Sequence, residues 1–144
     1  MRKLFLVLLA VASLAAVPAA SLGATPKAVV FGNKTTLAGA LGDKQAGVSV
    51  QILETQCGSS QSITLTTVKS GTGGIFGYQA QPLRQTAYTA RVKSSDSTAA
   101  IVKVMPRLRL GRVARHTYAV HLFAAESFAG KIATFQRYQP EAPL

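Results

Sequence analysis

The chain has 144 residues, with 16 Lys and Arg against 5 Asp and Glu, a net charge of +11, one cysteine and no tryptophan. This length fits one ordinary domain, or one and part of another, and excludes large multi-domain readings. A single cysteine excludes any intramolecular disulfide, so the hydrophobic core and strand pairing must hold the fold.

Met1-Arg2-Lys3 leads into an apolar run, Leu4 to Val17, stopped by Pro18 and followed by small residues. A charged start, a short apolar centre and a small-residue tail read as a secretory signal helix over residues 1–24, and the apolar run is too short to span a bilayer. Cleavage is expected between Ala19 and Thr25. The protein is then expected outside the cytoplasm, secreted or associated with the cell envelope, with no transmembrane anchor left after cleavage. Removal of Arg2 and Lys3 leaves 14 Lys and Arg against 5 acids, a net charge of +9 suited to anionic polymers or membranes.

From residue 25 to residue 106, short runs rich in Val, Ile, Thr, Tyr and Phe alternate with clusters of Gly, Ser, Asn and Asp. This pattern predicts seven strands, at Ala28–Phe31, Lys34–Leu41, Val48–Glu54, Ser62–Lys69, Gly74–Gln81, Thr86–Lys93 and Ala99–Met105. Gly42-Asp43-Lys44, Gly71 to Gly74 and Ser94 to Ser97 supply the expected hairpin-like turns. Alternation places inward Leu37, Gly39 and Leu41; Val48, Val50 and Ile52; Ile63 and Leu65; Phe76, Tyr78 and Ala80; Tyr88, Ala90 and Val92; Val102 and Val104. The expected class is all-β: two antiparallel sheets packed as an immunoglobulin-like sandwich, with a barrel as the alternative. Tyr88 fits either a corner tyrosine bonded back to the chain or a plain core aromatic. Cys57, in a polar loop, reads as a free thiol or as one half of a disulfide to a partner.

Residues 107–144 suggest a repeat. Ala46 to Ile52 and Ala129 to Phe135 share an Ala-Gly turn before an alternating strand, and Thr35–Leu41 and Thr117–Phe123 precede them at a similar offset. A partial second unit of about three strands is the expectation.

The residues Ala46-Gly47-Val48-Ser49-Val50-Gln51, Cys57-Gly58, Gly73-Gly74-Ile75-Phe76, Thr86 to Ala90 and Val102 to Leu110 together resemble, in their order, the secreted bacterial Ig-like modules that occur in tandem in extracellular proteins. The resemblance implies a non-catalytic structural or adhesive role at the cell surface, with no cofactor and no catalytic residues to carry over. It leaves other surface proteins as partners.

The residues offer little chemistry of their own. Asp43, Glu54, Asp96, Glu126 and Glu141 are scattered singly, which argues against a carboxylate pair and against an enzyme. His116 and His121, five apart in one expected strand, point to opposite faces and cannot share a metal. No Gly-x-Ser-x-Gly elbow surrounds any serine. Ser70 to Gly74 lacks the Gly-Lys-Ser/Thr ending of a phosphate loop, and Asn33-Lys34-Thr35 matches only a short glycosylation acceptor. The remaining constellation is basic. Lys103, Arg107 and Arg109 share the odd positions of an extended segment, Arg112, Arg115 and His116 continue it, and no acid lies between Asp96 and Glu126. Such a ridge suits an anionic cell-wall polymer, since Arg grips phosphate and carboxylate bidentately. It equally suits a solvated strand face that blocks edge aggregation. Nucleic acid is not an expected partner, since no aromatic residue interleaves the ridge for stacking.

Overall fold

The computed structural model describes residues 20–132 and 134. The expected signal helix therefore lies outside the described residues, apart from its last five positions. The class is all-β: mostly strands in antiparallel sheets, an arrangement compatible with a β-sandwich.

Eleven strands are described: β1 (Ala20–Thr25), β2 (Ala28–Val30), β3 (Thr35–Leu41), β4 (Ser49–Gln56), β5 (Ile63–Lys69), β6 (Ile75–Ala80), β7 (Thr86–Val92), β8 (Ser95–Asp96), β9 (Ala100–Met105), β10 (Arg107–Ala114) and β11 (Thr117–Phe123). A small sheet runs β1-β3-β6 and a large one β2-β9-β7-β4-β5, with β8 on the far half of β7. β10 and β11 form a separate two-stranded sheet. The neighbours in the small and large sheets are antiparallel, except that β2 runs parallel to β9.

All seven expected strands form, within two residues of the expected bounds at either end. Two turns differ in kind. Gly42 to Lys44 lies between β3 and β4, and Gly71 to Gly74, with a turn of 3-10 helix at Thr72–Gly74, joins β5 to β6, so each connection passes from one sheet to the other and closes no hairpin. The crossing is pinned by Ser70, 4% exposed, whose hydroxyl donates to the Gln45 carbonyl at 2.7 Å and accepts from the Val48 N–H at 3.0 Å. Gly74 has φ +73 and lies so near Lys44 that a Cβ would meet the Lys44 Cα at 2.8 Å. Only glycine fits there.

The core fills the space between the two sheets. Leu37, Ala24 and Ala80 of the small sheet meet Ile52, Tyr88, Val102 and Val29 of the large one, and a second cluster joins Leu41 and Phe76 to Val50, Ala90 and Val92. Each buried Val, Leu or Ile contributes about 1.5–3 kcal/mol relative to exposure. The buried hydroxyls are satisfied: Thr35 donates to the Pro26 carbonyl at 2.8 Å and Thr86 to the Arg84 carbonyl at 2.9 Å. Among the described residues no buried side-chain polar atom lacks a partner.

The inward assignment holds for ten positions that are fully buried, from Leu37 and Leu41 through Val50, Ile52, Phe76, Ala80, Tyr88, Ala90 and Val92 to Val102. Ile63 departs from it, at 54% exposed. It starts the edge strand β5, where Thr66 pairs with Ile52 but Thr64 pairs with Leu53, so Leu65 is an extra residue that breaks the alternation. Tyr88 is a core aromatic, 1% exposed, and burial, followed by the charge of Glu54, pushes its hydroxyl up to about 12.

One strand, β1, is not among the seven expected. Ala20–Thr25, whose first five residues fall in the expected signal segment, pairs with β3 from Leu41 to Thr36, and Ala20 and Ala24 are buried. Its small residues are the type signal peptidase accepts, and the same smallness permits a close approach: a Cβ at Gly39 would collide with the Ser21 carbonyl oxygen and the Phe76 ring. The strand expected around Gly130 is not formed at Lys131 and Ile132, and its remainder falls mostly outside the described residues.

Candidate functional site

Pro106 separates β9 from β10, and the chain leaves the large sheet there. As a result the basic positions divide into three groups. Lys103 stays in β9, exposed and opposite Ala28 of β2. Arg107, Arg109 and Arg112 lie on β10, and Arg115 occupies the turn beside His116. His116 is therefore a turn residue and not a strand residue, with φ 61, and only His121 lies in a strand. That the two histidines sit on opposite faces of one strand does not describe them.

The β10–β11 register fixes the faces. Arg107 pairs with Phe123, Arg109 with His121 and Gly111 with Ala119, so these six share one face. Leu108 pairs with Leu122, Leu110 with Val120 and Arg112 with Tyr118, forming the other. Arg112 thus stands across the ribbon from Arg107 and Arg109. An irregularity at Val113, between Arg112 and Ala114, makes room for the turn. Every residue of β10 is exposed.

On the first face the Arg109 guanidinium carbon lies 5.8 Å from the centroid of the Phe123 ring, within cation–π range. Arg107, Arg109 and Phe123 share a shallow cavity of about 190 Å³ with Phe31 and Gly32, which follow β2. This face therefore looks toward one end of the sandwich, and the leucine face is open: Leu108 and Leu110 are each 65% exposed and Tyr118 57%. Alternation revealed the Arg–Leu segregation of β10. The pairing with β11, which sets Phe123 and His121 beside the arginines, needed the turn position.

Elsewhere Arg91, Asp96 and Asp43 are engaged locally. Arg91 holds Asp96 through two hydrogen bonds of 2.6 and 2.7 Å across the β7–β8 turn, which lowers the Asp96 carboxyl below its usual range. The Asp43 carboxylate accepts from the Gln45 N–H at 3.2 Å. No group of three His, Cys, Asp or Glu residues suited to a metal occurs among the described residues. Cys57 is an exposed free thiol whose N–H donates to the Gln85 carbonyl at 2.8 Å. It borders a cavity of about 300 Å³ with Arg84, Glu126 and Phe128 at the base of the β10–β11 ribbon, where Arg84 also reaches the Ala125 carbonyl at 3.4 Å. No helix among the described residues is long and apolar enough to cross a membrane. Comparison with protein-family models, with curated proteins and with solved structures finds no match.

Proposed function

We propose that the chain is an exported, non-catalytic Ig-like sandwich module with a structural or adhesive role at the cell surface or in the extracellular space. The observation that carries this reading is the division of labour between two parts. Among the described residues, a closed core with satisfied buried polar groups supports a two-stranded ribbon whose β10 strand is exposed along its length. An exposed strand ribbon beside a packed core presents contact surface, and contact is what an adhesive module supplies.

Export rests on the residues before Ala20. Val17 and Ala19 occupy the third and first positions before the Ala19–Ala20 bond, the small-residue arrangement that signal peptidase reads, and a cut there keeps β1 whole. The experiment is fractionation of producing cells, with N-terminal sequencing of the product. Chain outside the cytoplasm beginning at Ala20 supports the reading. Chain retained inside with Met1 in place overturns it.

A second reading is favoured by the pairing of Arg107 with Arg109 on one face in an acid-free stretch: binding of an anionic cell-envelope polymer. Exposed charge contacts weaken as the Debye length falls from about 10 Å at 0.1 M salt to about 3 Å at 1 M. Retention on purified wall should therefore collapse over that range and drop in R107Q/R109Q. Retention that ignores both changes removes the polymer.

A further inference from the structure

We infer that the open leucine face of the β10–β11 ribbon seats on an anionic phospholipid surface. Five apolar side chains, Leu108, Leu110, Tyr118, Val120 and Leu122, share this face, and its leucines are 65%, 65% and 39% exposed. Apolar surface gathered on one side of a ribbon and left open marks an interaction site. Charge selects the occupant. From Ser97 to Ala125 the chain carries Lys103, Arg107, Arg109, Arg112 and Arg115 and no acid. A second copy would bring the same positive charge against itself. A polysaccharide polyanion would answer the arginines and leave the leucines in water. An anionic bilayer surface answers the leucines together with Arg112 on the same face and Arg115 at the turn, while Arg107 and Arg109 stand on the opposite face.

The geometry also sets the depth. Arg112 lies on the leucine face and Arg115 at the turn, so both can reach lipid phosphates while the leucines enter the boundary between headgroups and acyl chains, about 5–10 Å deep. β10 and β11 have 8 and 7 residues, shorter than the roughly 9–11 that a membrane-spanning strand needs. Both outer edges of the ribbon carry backbone groups that want water, which forbids full burial in hydrocarbon. The ribbon lies in the interface and does not cross it.

The chain has no tryptophan, so Tyr118→Trp places a single reporter on this face. The full chain carrying it is mixed with vesicles of equal parts phosphatidylglycerol and phosphatidylcholine. The expected result is a blue-shifted emission quenched by lipids brominated on their acyl chains, and a much weaker response to phosphatidylcholine alone. Because the reporter is local, the apolar run before Ala20 does not imitate this signal. R112Q/R115Q should weaken binding about 25-fold, about fivefold for each guanidinium near an anionic surface. L108S/L110S should abolish the quenching, with an unchanged thermal midpoint showing that the sandwich is intact. Three results overturn the inference: no shift on anionic vesicles, a blue shift in buffer without lipid, which would mean that a second copy or another part of the chain covers the face, or unchanged binding of L108S/L110S, which would make the contact purely electrostatic.

Discussion

At Gly39 two strands and a phenyl ring converge on the space a side chain would need. Gly39→Ala drives a methyl group into the Ser21 carbonyl and the Phe76 ring, and overpacking without slack costs about 3 kcal/mol. Urea unfolding should show that loss, and an unchanged midpoint would mean that β1 does not lie on β3 as described. Tyr88 supplies a pH dependence. Its hydroxyl titrates near 12 when folded and near 10 when unfolded, so the unfolded chain loses its proton first. Stability from this group is complete below pH 10 and falls between 10 and 12, by on the order of 2 kcal/mol. Tyr88→Phe should flatten that part of the stability profile, measured by urea midpoints at stepped pH, and a profile indifferent to the substitution would refute the assignment. Both residues were legible as inward positions. What alternation could not show was how little room surrounds Gly39, because crowding depends on β1.

At the scale of elements, the seven strands with β-branched and aromatic residues at alternate positions were readable because most of them bury one face, the edge strand β5 being the one with no buried residue. Three features escaped. β8 has two residues, too few for any period, and is held by its pairing with Arg91 and Val92, the Ser97–Ala90 hydrogen bonds and the grip of Arg91 on Asp96. At Pro106, the expected end of the first unit, what escaped was the division of the basic ridge, because the odd-even pattern of charge and leucine runs through the proline, although proline has no N–H to continue a ladder. It separates Lys103 from the arginines, so the candidate site was legible as a basic stretch but not as two faces of a ribbon. β1 escaped because alanine, serine and glycine carry a weak strand signal and a good processing signal together. This overlap makes β1 testable: a chain beginning at Ala20 should unfold cooperatively, and one beginning at Pro26 should lose most of its stability with the pairing to Leu37 and Leu41. Equal melting curves for the two would show β1 to be dispensable.

For the molecule as a whole, the sandwich and the ribbon differ in what holds them together. The sandwich has two packed sheets and a core, whereas an isolated two-stranded ribbon is marginal in water. A chain ending at Pro106 should therefore keep a cooperative transition, while residues 107–144 alone should give none by circular dichroism. Collapse of the shortened chain would instead make the ribbon part of the core. The pairing of β1 with β3 also orders events in time. Under the proposed export, the bond to be cut directly precedes Ala20, and Ala20 is itself buried once β1 docks. A peptidase needs extended, accessible chain, so folding and processing compete for the same few residues. Cleavage must come before the small sheet closes, and a chain that closes first would stay tethered by its own leader, folded and beyond the reach of the enzyme that should release it.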